Sequence, residues 1–390
     1  MHIGFFVDTF FPMIDGVVMV VDNYARCLSR KADVTVFTVN SGVYDFSSFP
    51  YHVERCKALQ LRGFDYCVPI PDVDLPFRQR LEESRLDIVH IHSPFLMGEE
   101  GVRYARRHAI PVVGTLHSQY KQDMAKVFKQ DVLIDVSVKR LVSIFDSLDE
   151  CWTVNKGMAS LYVDEYGGKR RPLVQLNATD LAPCPNPEEA MADVNSTYGI
   201  APSDTVLLFV GRINKIKNIL LTAKALGVLK QHGKVRFKML FVGTGQDEAE
   251  LEKTIKSLDI GDDVIMCGKV TDRAFLTKIY CRADLFLFPS KYDANSLVQI
   301  EAASQGTPTV FLRGTITSST VVENVSGFFC DDSPESLAEK VEEIMSDKEL
   351  YHSVSERVKK DVYRSWDMVT DEVYERYQLL IDKRKRHGKQ

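Results

Sequence analysis

The chain has 390 residues, 45% of them hydrophobic and 26% charged, which is apolar material for two cores and excludes a disordered or low-complexity protein. Its formal net charge of -5, spread over both halves, excludes wholesale attraction to nucleic acid. The 8 cysteines form no CxxC pair and no metal-ligand spacing, so they read as small core residues of a reducing, cytoplasmic compartment.

In chain order, "HIGFFVD" predicts a short buried strand, followed by a loop with Pro12 and Gly16 and by the helix pattern "VVMVVDNYARCLSR". This apolar N-terminus carries Asp8 and Asp15 and no leading cations, so it reads as neither a signal peptide nor a membrane span. "DVTVFTV" and "LDIVHIH" predict strands, "GEEGVRYARRH" a helix and "IPVVGTLH" another strand, which together make a parallel sheet with crossover helices. The stretch from Lys121 to Phe145 fits an amphipathic helix with nearly balanced charge. From Leu173 to Pro202 the texture turns rich in Pro, Asn, Asp and Ala, which predicts a linker. A second series then begins with "TVLLFVGR", "FKMLFVG", "DVIMCGKV", "ADLFLFPS" and "TPTVFL" as strands. The closing residues are helical by periodicity, and the basic run Lys383 to Lys389 reads as a solvated tail.

Several residues carry chemistry by type and position. "LFVGRINKIKN" ends a strand at Gly211 and puts Arg212 and Lys217 near a helix start, where two cations and free amides suit a diphosphate. "FPSKYDANSLVQIEAASQGTP" sets Asp293 in a loop and Glu301 in the following helix. A carboxylate there suits a vicinal diol, while the amides of Asn295, Ser296 and Leu297 suit a phosphate. His117 follows a strand at its carboxyl end, where open α/β sheets bind ligands. Gly243 and Gly245 lack the third glycine of a dinucleotide fingerprint and read as close backbone approach to a nucleotide. His90 and His92 share a strand face without a third ligand and read as packing, and Asp72 and Asp74 form a DxD tripeptide in a proline-framed loop, read as no metal site.

Taken together, "VGRINKIKN", "FVGTGQDEAELE", "CRADLFLFPS" and "EAASQGTPTVF" resemble glycosyltransferase family four, a retaining group, and the N-terminal "FFVDTFFPMIDGVV", "HIHSPFLMG" and "VVGTLHSQY" resemble its acceptor domain. The resemblance implies a GT-B fold, α/β, with two Rossmann-like doubly wound parallel-sheet domains facing across a cleft. Residues 1–182 would bind the acceptor, 183–364 the nucleotide sugar, and 365–390, including Trp366, would cross back to the first domain. By the same resemblance Arg212 and Lys217 hold the donor diphosphate, Glu301 grips the ribose, Asp293 contacts the transferred sugar and His117 also touches that sugar. Gly16 lets the backbone approach the donor's distal phosphate or the acceptor, and Lys269 and Val270, after Cys267 and Gly268, offer backbone groups to the base. Two departures stand out: the family usually has glutamate and a glycine-rich turn where this chain has "DANS" from Asp293, and paired glycines where it has Asp15 and Gly16.

The resulting expectation is a hexosyltransferase using a nucleotide diphosphate sugar, UDP ahead of GDP. No metal or other cofactor is expected, since Arg212, Lys217 and helix amides supply the charge that a divalent ion would. Catalysis would rest on His117, Asp293, Arg212 and Lys217. Glycolipid and cell-surface polysaccharide acceptors both stay open, as does peripheral contact with the inner face of the cell membrane. The rival readings are a non-catalytic or accessory nucleotide-sugar-binding subunit, another GT-B enzyme such as a sugar-nucleotide epimerase and, furthest away because the glycine fingerprint is incomplete, an NAD-dependent oxidoreductase.

Overall fold

Runs such as Phe5-Phe6-Val7 and Leu207-Leu208-Phe209 are buried throughout and have no polar face to turn to water, so their strands must be covered on both sides. The computed structural model of the protein describes residues 1–60 and 67–387. It divides into two units, Met1–Asn177 with the segment from Trp366 onward, and Ala178–Ser365.

The first unit is built on β1 (His2–Phe6), β2 (Asp33–Val39), β3 (His52–Cys56), β6 (Ile88–Ile91), β7 (Val112–Leu116), β8 (Glu150–Thr153) and β9 (Leu173–Val174). These form one parallel sheet in the order β3-β2-β1-β6-β7-β8-β9, and β4 (Ala58–Gln60) with β5 (Cys67–Pro69) forms a separate antiparallel pair. The second unit contains β10 (Thr205–Val210), β11 (Phe237–Val242), β12 (Val264–Gly268), β13 (Leu285–Phe288), β14 (Thr309–Leu312) and β15 (Phe328–Cys330). Its sheet, also parallel, has the order β12-β11-β10-β13-β14-β15. Both sheets are doubly wound and Rossmann-like: the chain winds outward from a central strand in one direction and then in the other. The switch falls between β1 and β6 and between β10 and β13, where crossovers diverge and leave a crevice at the carboxyl ends.

Helices cover the sheets through apolar stripes. Helix Gly16–Leu28 starts on Asp15, whose side chain accepts from the Val18 amide at 2.9 Å, and buries Val18, Val21, Ala25 and Leu28 at three- and four-residue spacing. Its valines are weak helix formers, so packing against the sheet decides the outcome.

Two expectations need correction. The stretch from Leu173 to Pro202 is not all linker, because Pro187–Tyr198 is a helix of the second unit with Ala190 and Val194 buried and Gly199 closing it at φ 64°. Only two of its residues are buried, too few for periodicity to stand out of an Asn- and Asp-rich stretch. The span from Lys121 to Phe145 is two helices, Tyr120–Val127 and Asp131–Asp146, separated where Phe128 and Gln130 take extended backbone.

Helix Trp366–His387 belongs to the first unit. Trp366, Val369, Val373, Tyr377 and Leu380 form its buried stripe. Trp366 meets Tyr24 edge-on at 5.3 Å, and Tyr377 stacks on Trp152 at 5.8 Å while its hydroxyl lies 2.5 Å from His90 Nδ1. The basic run begins inside this helix, which continues to His387 with Arg384 paired to Asp149, so the run is not all solvated tail, and its end lies outside the described residues. Among the described residues no helix is long and apolar enough to cross a membrane.

Candidate active site

In the second unit the crevice at the carboxyl ends of β10 and β13 collects most of the residues singled out from the sequence. Past β10 the chain makes a 3₁₀ turn, Lys215–Lys217, with Asn214 accepting from the Lys217 amide at 3.1 Å and Asn218 left-handed at φ 60°. That turn directs Lys217 inward while Arg212 stays exposed. Lys217 Nζ donates to both oxygens of Asp293 at 2.6 Å, and Ser290 Oγ donates to Asp293 Oδ2 at 2.7 Å. Both partners are largely buried, at 19% and 17% side-chain exposure, and the Lys217 ammonium lies 5.3 Å from the Phe288 ring. Asp293 is thus paired with the cation that sequence reasoning reserved for phosphate.

Helix Leu297–Gln305 begins beside this pair with Ser296 at its cap position and Asn295 in the loop before it, so its amide-rich end opens on the same crevice. Glu301 lies one turn in and is buried at 7% exposure. Arg273 Nη2 donates to its Oε1 at 2.8 Å and the Tyr280 hydroxyl donates to its Oε2 at 2.8 Å. Burial, with Glu301 beside it, pushes the Tyr280 phenol well above its ordinary range, so it remains a donor. Burial opposes the charge of Arg273, but Glu301 and Asp180 outweigh it and raise the guanidinium above its usual value.

Gly243 and Gly245 permit close approach of the loop after β10. A Cβ on Gly243, where φ is +132°, would stand 1.9 Å from the Gly211 carbonyl oxygen, and one on Gly245 2.1 Å from that of Ile213. Amides of Gly211 and Ile213 bond to Val242 and Thr244 carbonyls at 2.9 and 3.0 Å, which ties the loops after β10 and β11 together. Lys269 is exposed just past β12, and Val270 is half-buried against the core.

Gly16 and His117 lie in the first unit. Gly16 opens its helix, and a Cβ there would have nothing within 4 Å, so packing within the chain gives no reason for a glycine. His117 follows β7 and is buried, its Nε2 lying 3.0 Å from His92 Nδ1. Burial pulls its imidazole down to about 3, so the ring is neutral at any physiological pH. His90 and His92 stack at 4.0 Å, His90 between Tyr377 and Thr115, which is the packing role expected of them. Asp74 caps helix Leu75–Glu83 and Asp72 pairs with Arg103, so the DxD carboxylates have separate partners.

Sequence reasoning missed Asp8, Ser93, Arg273 and Asp180. Asp8 stands just past β1 at the first switch point, accepting from Ser93 Oγ at 2.5 Å and from the Met97 amide at 3.0 Å. Burial pushes its carboxyl up to about 6 against those hydrogen bonds. An ionisable residue directly after an apolar strand was the available signal.

A doubly wound sheet that gathers cations, carboxylates and a helix start at its switch point is where open α/β folds bind ligands, and the fold of this chain is GT-B. The comparisons agree in order along the chain: residues 14–181 match the model of Glycosyltransferase Family 4 and residues 194–361 that of Glycosyl transferases group 1. The chain belongs to glycosyltransferase family four and is a hexosyltransferase. It is 28% identical over 326 residues to the alpha-monoglucosyldiacylglycerol synthase of Streptococcus pneumoniae, covering 80% of this chain and 70% of that one. The enzyme of the same name from Acholeplasma laidlawii is 24% identical, with 98% of both chains covered. Among solved structures, Anabaena HepE in complex with UDP-glucose superposes with a TM-score of 0.72 at 16% identity, covering 97% of this chain and 99% of that one.

Proposed function

We propose that the protein is a retaining hexosyltransferase that moves a hexose from a UDP-sugar to a glycolipid-type acceptor at the inner face of the cell membrane. The observation that carries this reading is the Lys217 ammonium held beside Asp293 at the β10/β13 switch point, next to the start of helix Leu297–Gln305. There Lys217, the exposed Arg212 and the helix amides neutralise a diphosphate as it leaves, without calling on a divalent ion. Asp293 turns to the sugar hydroxyls as phosphate oxygens take over Lys217, Gly211 brings its backbone close, and Glu301 accepts from the ribose. Lys269 and Val270 offer backbone groups to the base. No covalent nucleophile is assigned: the leaving phosphate itself receives the acceptor proton on the same face, a route that asks for positioning and electrostatics. His117, neutral throughout, serves as a hydrogen-bonding group at the ligand end of the first sheet, and Gly16 leaves its helix start open to a ligand.

The lipid acceptor is favoured over a polysaccharide by the relatives named for monoglucosyldiacylglycerol synthesis. It is also favoured by Val132, Leu133 and Val136, exposed on helix Asp131–Asp146 opposite its buried stripe. The test is to incubate the protein with UDP- and GDP-hexoses and with diacylglycerol, monoglucosyldiacylglycerol or oligosaccharides, and to read products by mass spectrometry and the anomeric proton by NMR. A glycolipid with the donor's anomeric configuration is expected. An inverted product, or donor binding without transfer to any acceptor, would overturn the reading.

A further inference from the structure

Glu301 is held from the protein side with unusual completeness. Each of its oxygens receives one donor, Arg273 on Oε1 and Tyr280 on Oε2, both at 2.8 Å, and both donors come from the one helix Arg273–Arg282. A carboxylate offers about four lone-pair directions, so one on each oxygen remains, a pair spaced for two neighbouring hydroxyls. Arg273 is braced in turn: its Nε donates to Asp180 Oδ2 at 3.1 Å, and its Nη2 reaches Asp180 Oδ1. Asp272 accepts from the Ala274 and Phe275 amides at 2.9 and 3.2 Å, which locks the first turn from which Arg273 projects. A cation in the first turn of a helix opposes the helix dipole, so helix stability does not account for an arginine there.

We propose that Arg273, braced by Asp180, is a positioning residue that sets the Glu301 carboxylate for a cis-diol and so makes the donor site selective for ribonucleoside diphosphates. The proposal rests on the reading of Glu301 as the ribose-gripping residue and adds the groups that aim it. Without Arg273, Glu301 keeps only Tyr280 on one oxygen and the carboxylate rotates away from the bidentate pose. Hydrogen bonds to a charged group are each worth roughly tenfold in affinity, so losing the pose has a readable consequence.

The experiment is calorimetric titration of UDP and of 2′,3′-dideoxy-UDP into the wild-type chain, Arg273→Ala, Arg273→Lys and Asp180→Asn; if the wild type binds GDP instead, the guanosine pair replaces the uridine pair. The wild type is expected to prefer the ribose form by at least about tenfold. Arg273→Ala should shrink that preference to under about threefold by weakening UDP alone, with Arg273→Lys restoring part of it and donor KM rising more than kcat falls. Equal weakening of both nucleotides would mean that Arg273 meets the phosphates or only supports the fold, and would overturn the proposal. A wild type that ignores the ribose hydroxyls would remove the ribose role of Glu301 together with this proposal. A wild type that discriminates while Arg273→Ala discriminates equally would remove this proposal alone.

Discussion

At Asp293, where the resembled family usually has glutamate, the carboxylate is engaged by Lys217 and Ser290. If Asp293 serves the sugar and Lys217 the phosphates, the two can be separated. Asp293→Asn is expected to lower turnover roughly 100-fold while UDP, which carries no sugar, binds as tightly as before or tighter, because Lys217 loses its competing anion. Steady-state rates beside titration of UDP check this. Asp8 offers a second residue-scale outcome. It faces the Ser93 hydroxyl, the Met97 and Gly98 amides and the carboxylate of Glu99, and its folded value of about 6 stands above the ordinary 3.8. The folded chain therefore holds the proton more tightly than the unfolded one. That contribution to stability is complete below pH 3.8 and is lost as pH rises through 6, at most about 3 kcal/mol. Asp8→Asn should gain on the wild type in denaturant midpoint at pH 8 compared with pH 4, and an unchanged difference would contradict the burial argument.

Among elements, the loops after β10 and β11 are interlocked through glycine. Gly243→Ala would drive a Cβ to 1.9 Å from the Gly211 carbonyl at a φ that L side chains rarely adopt, so about 3 kcal/mol of stability and most nucleotide binding should go together. Thermal unfolding with and without nucleotide measures both. How far the sequence foretold these elements follows from their burial. The central strands β1, β2, β10 and β11 announced themselves as apolar-rich runs, interrupted only by residues such as Thr35, Thr38 and Lys238, because both faces are covered. Strand β3 carries Glu54 and Arg55 and is only half-buried, and β9 has two exposed residues, so neither left a pattern to read. The site divides in the same way. Arg212, Lys217, Asp293 and Glu301 could be singled out because each sits inside a local strand-loop-helix motif. Their partners were not, since Arg273 meets Asp180 across 93 residues and Asp8 meets Ser93 across 85, and no local spacing encodes such a meeting.

For the whole molecule, the last helix is part of the first unit's core, although the chain has by then passed through the second. Tyr377→Phe would leave His90 Nδ1 buried without its 2.5 Å partner and should cost about 1–3 kcal/mol, and Trp366→Ala, which empties the space beside Tyr24, about 3–5 kcal/mol. Hydrogen exchange should register both losses in residues 1–177 and leave 178–365 protected as before. In the other unit the proposal turns on Lys217, paired with Asp293, receiving a diphosphate. The most direct test of that role is titration of uridine, UMP and UDP into the wild type and Lys217→Ala. The wild type should tighten steeply from uridine to UDP, and the variant should bind uridine equally while losing most of the gain from the second phosphate. A variant that binds UDP as the wild type does would contradict the role.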